Sequence, residues 1–359
     1  MTNPAPPEAT GTDVADGFYS PRELTYIQPA GRRLSDYEAS ICHVQPDVNH
    51  YDFGGWLLAA PDGKSLFEAS STRLAHPDWF EYRDPSSLWQ RTYMRQQAVE
   101  ERSIASLLES ARGNGYFADI DGFWAREILA RYHQGYAFAE WGLFLALNSA
   151  IRLALSDTLT MMITFTAVDR LRHQQSIALF GLELEQELGG IPEGLGREAW
   201  LSDPVYQPAR RVVERLMAAE DWCEIVVVCG LLIDPLLSTL AGRHFFRRFA
   251  SVNGDAVTPA IAITAERDRL RFLHAVRGLV EMVTSDTDRA GAAVPAAANR
   301  EILQDWIDLW GPQVLAAVDA FLPVFDLPSM RPVVGEEARG AVVAGCAEQL
   351  ERFDLELRR

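Results

Sequence analysis

Two four-residue stretches of this 359-residue chain are identical: Asp169-Arg170-Leu171-Arg172 precedes His173, and Asp268-Arg269-Leu270-Arg271 precedes Phe272. Residues three or four apart share a helix face, so on helices Arg170 stands over His173 and Arg269 over Phe272. A bundle that holds two metal ions uses this spacing for Glu-x-x-His on each of two helices, with a single Glu on each of two others. Carboxylates neutralise the cations and imidazole completes their coordination. Here the acid places hold guanidinium, which stays protonated and offers no lone pair, and one imidazole place holds a benzyl ring. Cations therefore stand where metal chemistry would require anions.

Two carboxylates remain to meet them: Glu140, on the helical stretch before Arg170, and Asp234, on the stretch before Arg269. The order along the chain predicts that Arg170 pairs with Glu140 and Arg269 with Asp234, each bidentate, in the volume a metal would take. The bland alternative has both arginines snorkelling to solvent. Asp169 and His173, at i and i+4, would need further ligands to hold a metal. His133, His244 and His274 stand singly on helical stretches and read as satisfied surface or core groups, while His43, His50 and His76 lie in the loop-rich part, where packing against a partner is their expected use. No G-x-S-x-G elbow, Walker loop or strand-linked GxGxxG appears, which leaves serine-nucleophile, nucleotide and dinucleotide chemistry unsupported.

The elements that must position these residues are helices. From Ser86 onward the sequence carries apolar positions at helical spacing, with further helices expected over about 121–155, 157–188, 208–219, 221–251, 258–284, 299–324 and 336–357. Breaks fall at GGIPEG, SVNGD and GAAVPAA, and strand patterns are almost absent. The class is mainly α, a bundle of long helices over 86–359. Residues 1–17 read as a disordered lead-in, and 18–85 as an extended, loop-rich arm. The arm's Trp56, Trp79, Phe80 and Tyr82, with Trp89 just beyond, have too little irregular chain around them to be buried there. They must pack on the helical body or on another chain, and are the candidates for an interface.

Composition narrows the partners. A formal charge of −17, from 50 acidic and 33 basic side chains, repels phosphate backbones, so nucleic acid is not expected. The four cysteines lack CxxC spacing and fit a reducing cytoplasm. The start of the chain has neither a basic nor an apolar leader region, and the most apolar run, Ile225 to Ile233, ends at Asp234-Pro235, well short of the roughly 20 residues a span needs. No membrane association is expected.

The motif pair, together with several shorter stretches, resembles the hydroxylases of soluble diiron monooxygenases, bacterial complexes that oxidise alkanes, alkenes, phenols or toluene. The large subunit of that family carries Glu, Asp-Glu-x-Arg-His, Glu and a second Asp-Glu-x-Arg-His. This chain is similar to the paralogous small, or β, subunit. In its first copy Asp169, Arg172 and His173 match the motif while Arg170 replaces the ligating Glu; in its second, Arg269 and Phe272 occupy the ligand places. HVQPD at His43 to Asp47, FEYRDPSSLWQRTY at Phe80 to Tyr93, AEWGLF at Ala139 to Phe144 and AEDWCE at Ala219 to Glu224 extend the resemblance from about Thr25 to Trp310.

The resemblance implies a ferritin-like fold and a non-catalytic chain with no metal or cofactor of its own. Glu140, Arg170, His173, Asp234, Arg269 and Phe272 would be degenerate ligand positions. The diiron centre would lie in an iron-bearing large subunit, with a small third subunit, a coupling protein and an NAD(P)H-dependent reductase as further partners. The aromatic arm would lie on the partner subunit. Two other readings stand beside it: an independent ferritin-like metal-binding protein using Glu140, Asp169 and His173, or a helical adaptor unrelated to oxygenases.

Overall fold

Helix boundaries follow local chemistry that the sequence displays. In the computed structural model, which describes residues 29, 31–41, 72–327 and 334–358, the Ser156 hydroxyl accepts from Leu159 N to start α4 (Asp157–Leu188), and Gly189 ends it at φ 62°. Asp255 Oδ1 accepts from the backbone of Val257 and Thr258, both at 3.0 Å, where α9 (Thr258–Thr284) begins. Such caps satisfy amide groups that have no partner within the helix. The remaining helices are α1 (Asp36–Ile41), α2 (Gln90–Gly113), α3 (Gln134–Ile151), α5 (Leu195–Ser202), α6 (Gln207–Met217), α7 (Trp222–Val228), α8 (Arg248–Ala250), α10 (Ala296–Phe321) and α11 (Gly335–Glu351). Among the described residues the only bridge pairing is Thr287 with Ala293.

Two helices contain π-helical stretches. Trp124–His133 runs directly into α3, and Cys229–Arg247 continues α7 into α8. Pro235 lies inside the second stretch and supplies no N–H. The Leu231 carbonyl one turn earlier accepts from the Cys346 thiol at 3.3 Å, and the Asp234 carbonyl accepts from the Thr239 hydroxyl at 2.7 Å. Wider turns of this kind rotate side chains relative to a regular helix. Glu140 follows the first stretch by seven residues, and Asp234 sits within the second.

α3 packs along α4, α9 packs along the second π stretch, and α4 meets α9, so four elements enclose one interior. α6 covers α3 and α10 with Ala209, Val212, Val213 and Leu216, while Arg210 and Glu214 on its other face pair in solvent. That i, i+3, i+4, i+7 pattern is an amphipathic helix read directly from sequence. Trp124 and Trp222 are fully buried, each contributing roughly 2–3 kcal/mol of apolar transfer. Gly254, at φ 76°, closes the turn before α9; a Cβ there would lie 2.1 Å from the Asp119 carbonyl oxygen.

Trp222–Asn253 is long and apolar enough to cross a membrane by composition alone, with mean hydropathy 2.1. Its most apolar window is 83% buried within the protein's own fold, which accounts for that character without a bilayer.

The lead-in 1–17, Trp56, and the HVQPD motif fall outside the described residues. The interface expectation for the other aromatics needs correction. Trp79, Phe80 and Tyr82 are buried in this chain: Trp79 meets Trp222 edge to face at 5.5 Å, and the Tyr82 hydroxyl donates to the Ala275 carbonyl at 3.0 Å. Trp89 is half-buried beside Tyr37, Ile41 and Phe80. The helical body offers these rings apolar surface and the Ala275 carbonyl as an acceptor, so they are buried without a second chain.

Candidate functional site

At the centre of the four enclosing elements lie Glu140 from α3, Arg170 from α4, Asp234 from the second π stretch and Arg269 from α9, each at least nine-tenths buried. Arg170 donates through Nη2 to Asp234 Oδ2 at 2.5 Å and through Nη1 to Glu140 Oε2 at 3.3 Å. Arg269 donates through Nη2 to Glu140 Oε1 at 2.5 Å, and its Nε stands 3.8 Å from Asp234 Oδ1. The expected pairs do touch, but the shorter bonds run the other way, Arg170 to Asp234 and Arg269 to Glu140. Neither arginine grips one acid bidentately; each spans both. Two positive and two negative groups alternate, so the buried net charge is zero.

A second network surrounds the first and explains why the tetrapeptide occurs twice. The last arginine of each copy bonds the aspartate of the other: Arg271 with Asp169, and Arg172 with Asp268. Arg271 also reaches Asp268 at 2.9 Å. The Tyr93 hydroxyl and the Gln97 amide of α2 donate to Asp169 Oδ1 at 2.9 and 3.2 Å. His173 joins the networks, with Nε2 3.0 Å from Asp268 Oδ2 and Nδ1 3.9 Å from Glu140 Oε2.

Electrostatics follow from these contacts. Burial alone would raise the Glu140 carboxyl, but Arg269 and Arg170 overcome it and hold it well below the usual range. Burial opposes the Arg170 cation, yet Asp234 and Glu140 raise its pKa well above the ordinary value. In the outer network burial would likewise raise Asp268, but the hydrogen bond and charge of His173, then Arg172 and Arg271, hold it down. Burial and the charge of Asp268 push Asp169 up to about 6 against the pull of Arg271.

The residues marked in the sequence converge, though with roles its spacing did not assign. Glu140, Arg170, His173, Asp234 and Arg269 form one buried assembly. Phe272 fills the remaining place beside Arg269, against Gly230, where a Cβ would come within 3.3 Å of its ring. The gap between Arg170, His173, Arg269 and Phe272 has no room for a water molecule. Glu140, Asp169 and His173 do not form a common ligand set, because Asp169 belongs to the outer network. His133 is a buried core group whose ring lies tilted against Phe246 at 4.8 Å, and burial lowers its pKa to about 3. Sequence reasoning missed Arg271, Asp268, Tyr93 and Gln97 as members of the assembly. The identity of the first and last letters of both tetrapeptides was the signal for two of them.

A family model described as Methane/Phenol/Alkene Hydroxylase matches residues 56–287. The propane 2-monooxygenase hydroxylase component small subunit of Mycolicibacterium goodii is 27% identical over 337 residues, covering 94% of this chain and 90% of that protein. The methane monooxygenase component A beta chain of Methylosinus trichosporium is 28% identical over 312 residues, covering 84% and 77%. Among solved structures, xenon-pressurised phenol hydroxylase from Pseudomonas sp. OX1 superposes with a TM-score of 0.74 at 20% identity, covering 100% of this chain and 98% of that one. Toluene-bound toluene 4-monooxygenase gives 0.68 at 22% identity, covering 80% and 93%. At those identities the likeness is one of fold, the ferritin-like helical bundle.

Proposed function

The chain belongs to the methane, phenol and alkene hydroxylase family as a small, or β, subunit, and from that premise we propose that it is a non-catalytic support for a diiron centre carried by a large partner subunit. The observation that carries this reading is the four-charge core. Glu140 and Asp234, the acids that could ligate a metal, are each shared between two guanidinium groups. A cation entering between them would have to displace two arginines that no pH tolerated by the fold can neutralise. The donor set does not fit a dimetal centre.

In this reading the assembled complex inserts one atom of O2 into a hydrocarbon, an alkane or alkene in preference to an aromatic. Support for the preference is the extent of alignment with the propane relative, 94% of this chain. Reducing equivalents come from NAD(P)H through a reductase, a coupling protein joins the complex, and a third small subunit completes it in some assemblies. The complex is cytoplasmic and binds no nucleic acid. Residues 86–359 form the ferritin-like body.

The test is co-purification through a tag on this chain, with iron analysis of the complex and of the separated chain. The expected result is a co-eluting subunit with two intact Glu-x-x-His motifs and iron that follows that subunit. Stoichiometric, tightly held iron in the separated chain overturns the proposal.

A further inference from the structure

Between Thr164 and Leu182, α4 carries its charges on the inner side. Asp169, Arg170 and Arg172 are all buried in the bundle, whereas the outward positions Thr164, Val168, Leu171, Gln175, Ala178 and Leu182 bear no charge. A helix that meets water ordinarily does the reverse, with charged residues outside and apolar ones within. Val168 and Leu182 are nevertheless 40% and 62% exposed, and Leu179 beside them 57%. The Thr164 hydroxyl is satisfied inside the helix, donating to the Thr160 carbonyl at 2.7 Å. The next charges along α4, Glu183 and Glu187, turn aside to pair with Arg112 of α2. Exposed apolar surface of this kind marks a place where another chain sits.

The outward residues follow one another at four, three, four, three and four positions, the period with which one helix packs along a second. At 1.5 Å per residue the seam is about 27 Å long. Gln175 lies in its middle, and a polar side chain inside such a seam fixes the register of the partner. On α3, Trp141 is 41% exposed and lines, with Ala137, Phe138 and Gln174, a groove of about 290 Å³ beside α4. Tryptophan is among the residues that most often anchor an interface. One helical seam is a narrow strip against the roughly 800 Å² that each side of a stable complex covers. Seam and groove together let one partner cover both helices.

Charge selects the occupant. A face without charge calls for a partner face without charge, and a formal charge of −17 on this chain opposes its pairing with a second copy. We propose that the outer face of α3 and α4 is the seat of the large subunit, with an uncharged helix of that subunit along the α4 seam and an apolar side chain in the groove at Trp141. The proposal rests on the reading of this chain as a small hydroxylase subunit and adds where the two chains meet.

Val168→Glu with Leu182→Glu places two charges on the seam at positions that the separated chain leaves in water. Leu309→Glu, on α10 and 44% exposed in the parent, is the control. Co-purification through a tag on this chain is expected to recover the large subunit with the parent and the control, and the double variant is expected to bind it at least about tenfold more weakly, with the helical content of the full chain unchanged by circular dichroism. A photo-crosslinking benzoylphenylalanine in place of Gln175 should join this chain to the large subunit, a readout that does not depend on how the double variant folds. Undiminished co-elution of the double variant, equal loss in the control, or a crosslink only to a second copy of this chain overturns the proposal and leaves the small-subunit reading standing. A parent chain that recovers no large subunit overturns that reading, and the proposal with it.

Discussion

Replacing Arg170 with methionine removes one cation from between two acids and keeps a long apolar side chain. Glu140 and Asp234 then share Arg269 alone, leaving one uncompensated negative charge in a site where Glu140 is fully buried. Breaking a buried pair in this way costs about 3–5 kcal/mol. The variant can escape by protonating one carboxyl. Starting from an ordinary glutamate near 4.5, that costs about 4 kcal/mol at pH 7.5 and under about 1 kcal/mol at pH 5, at 1.36 kcal/mol per unit. In the parent the Glu140 pKa is depressed, so its contribution is present above the unfolded value and lost only as pH falls through the lower folded value. The parent therefore keeps it across pH 5 to 7.5. In the variant the surviving acids sit above their unfolded values, so the folded state takes up a proton and the deficit shrinks as pH falls.

Thermal melting of both proteins at the two pH values tests this directly. For a chain of this size the deficit is expected at about 4–7 °C at pH 7.5, shrinking by about 3–5 °C at pH 5. Arg170→Met with Asp234→Leu restores neutrality, leaves the Arg269 to Glu140 bond intact, and should melt above the single variant at pH 7.5. A deficit unchanged by pH, or a double variant no more stable than the single, refutes the four-charge account.

Three further outcomes follow from other contacts. A double-mutant cycle on Asp169→Asn and Arg271→Gln should show coupling of about 1–3 kcal/mol in urea unfolding, since the two side chains are bonded across α4 and α9; additive effects would mean the copies do not interlock. Gly254→Ala forces a positive φ and a 2.1 Å approach to the Asp119 carbonyl, and should lower unfolding free energy by about 2–3 kcal/mol. Arg170→Glu, Arg269→Glu and Phe272→His together should give Co2+ absorption bands of a ligated ion, whereas Arg170→Glu alone should give none.

How far these features could be read in advance depended on the range of the interactions that fix them. The bounds of α4 and α9 were legible because their signals are local: a serine cap and a glycine stop for one, a proline in the first turn for the other. The helix expected from Ser86 begins at Gln90 instead, because Ser87 adopts φ 48° and the Trp89 amide donates to Thr92 Oγ1 at 3.1 Å. α5 escaped notice because its eight residues hold too few turns to show a period. The π stretches were equally hidden, since the pattern of apolar residues barely distinguishes a wider turn from a regular one. At the site, the i, i+3 rule placed Arg170 beside His173 on one face but carried no information about which element that face meets. Chain order suggested neighbours in sequence; the long guanidinium side chains reach instead across the interior to acids on the diagonal elements, which is why the shorter ion pairs cross.

That crossing bears on what the charges do for the fold. A buried ion-pair core is often no more stable than apolar side chains of the same volume, so the networks are weak as a source of stability. They are strong as a constraint on geometry. Sliding α4 by one turn along α9 would separate Arg172 from Asp268 and Arg271 from Asp169 together, and would pull Arg170 from two acids on two other elements. An apolar interface would resist the same slip far less, because one leucine replaces another at little loss. Each tetrapeptide thus makes the other's position obligatory, and either copy alone would strand buried charges. The consequence is a bundle whose register is set from the inside, which lets its outer faces present a fixed shape to a partner subunit.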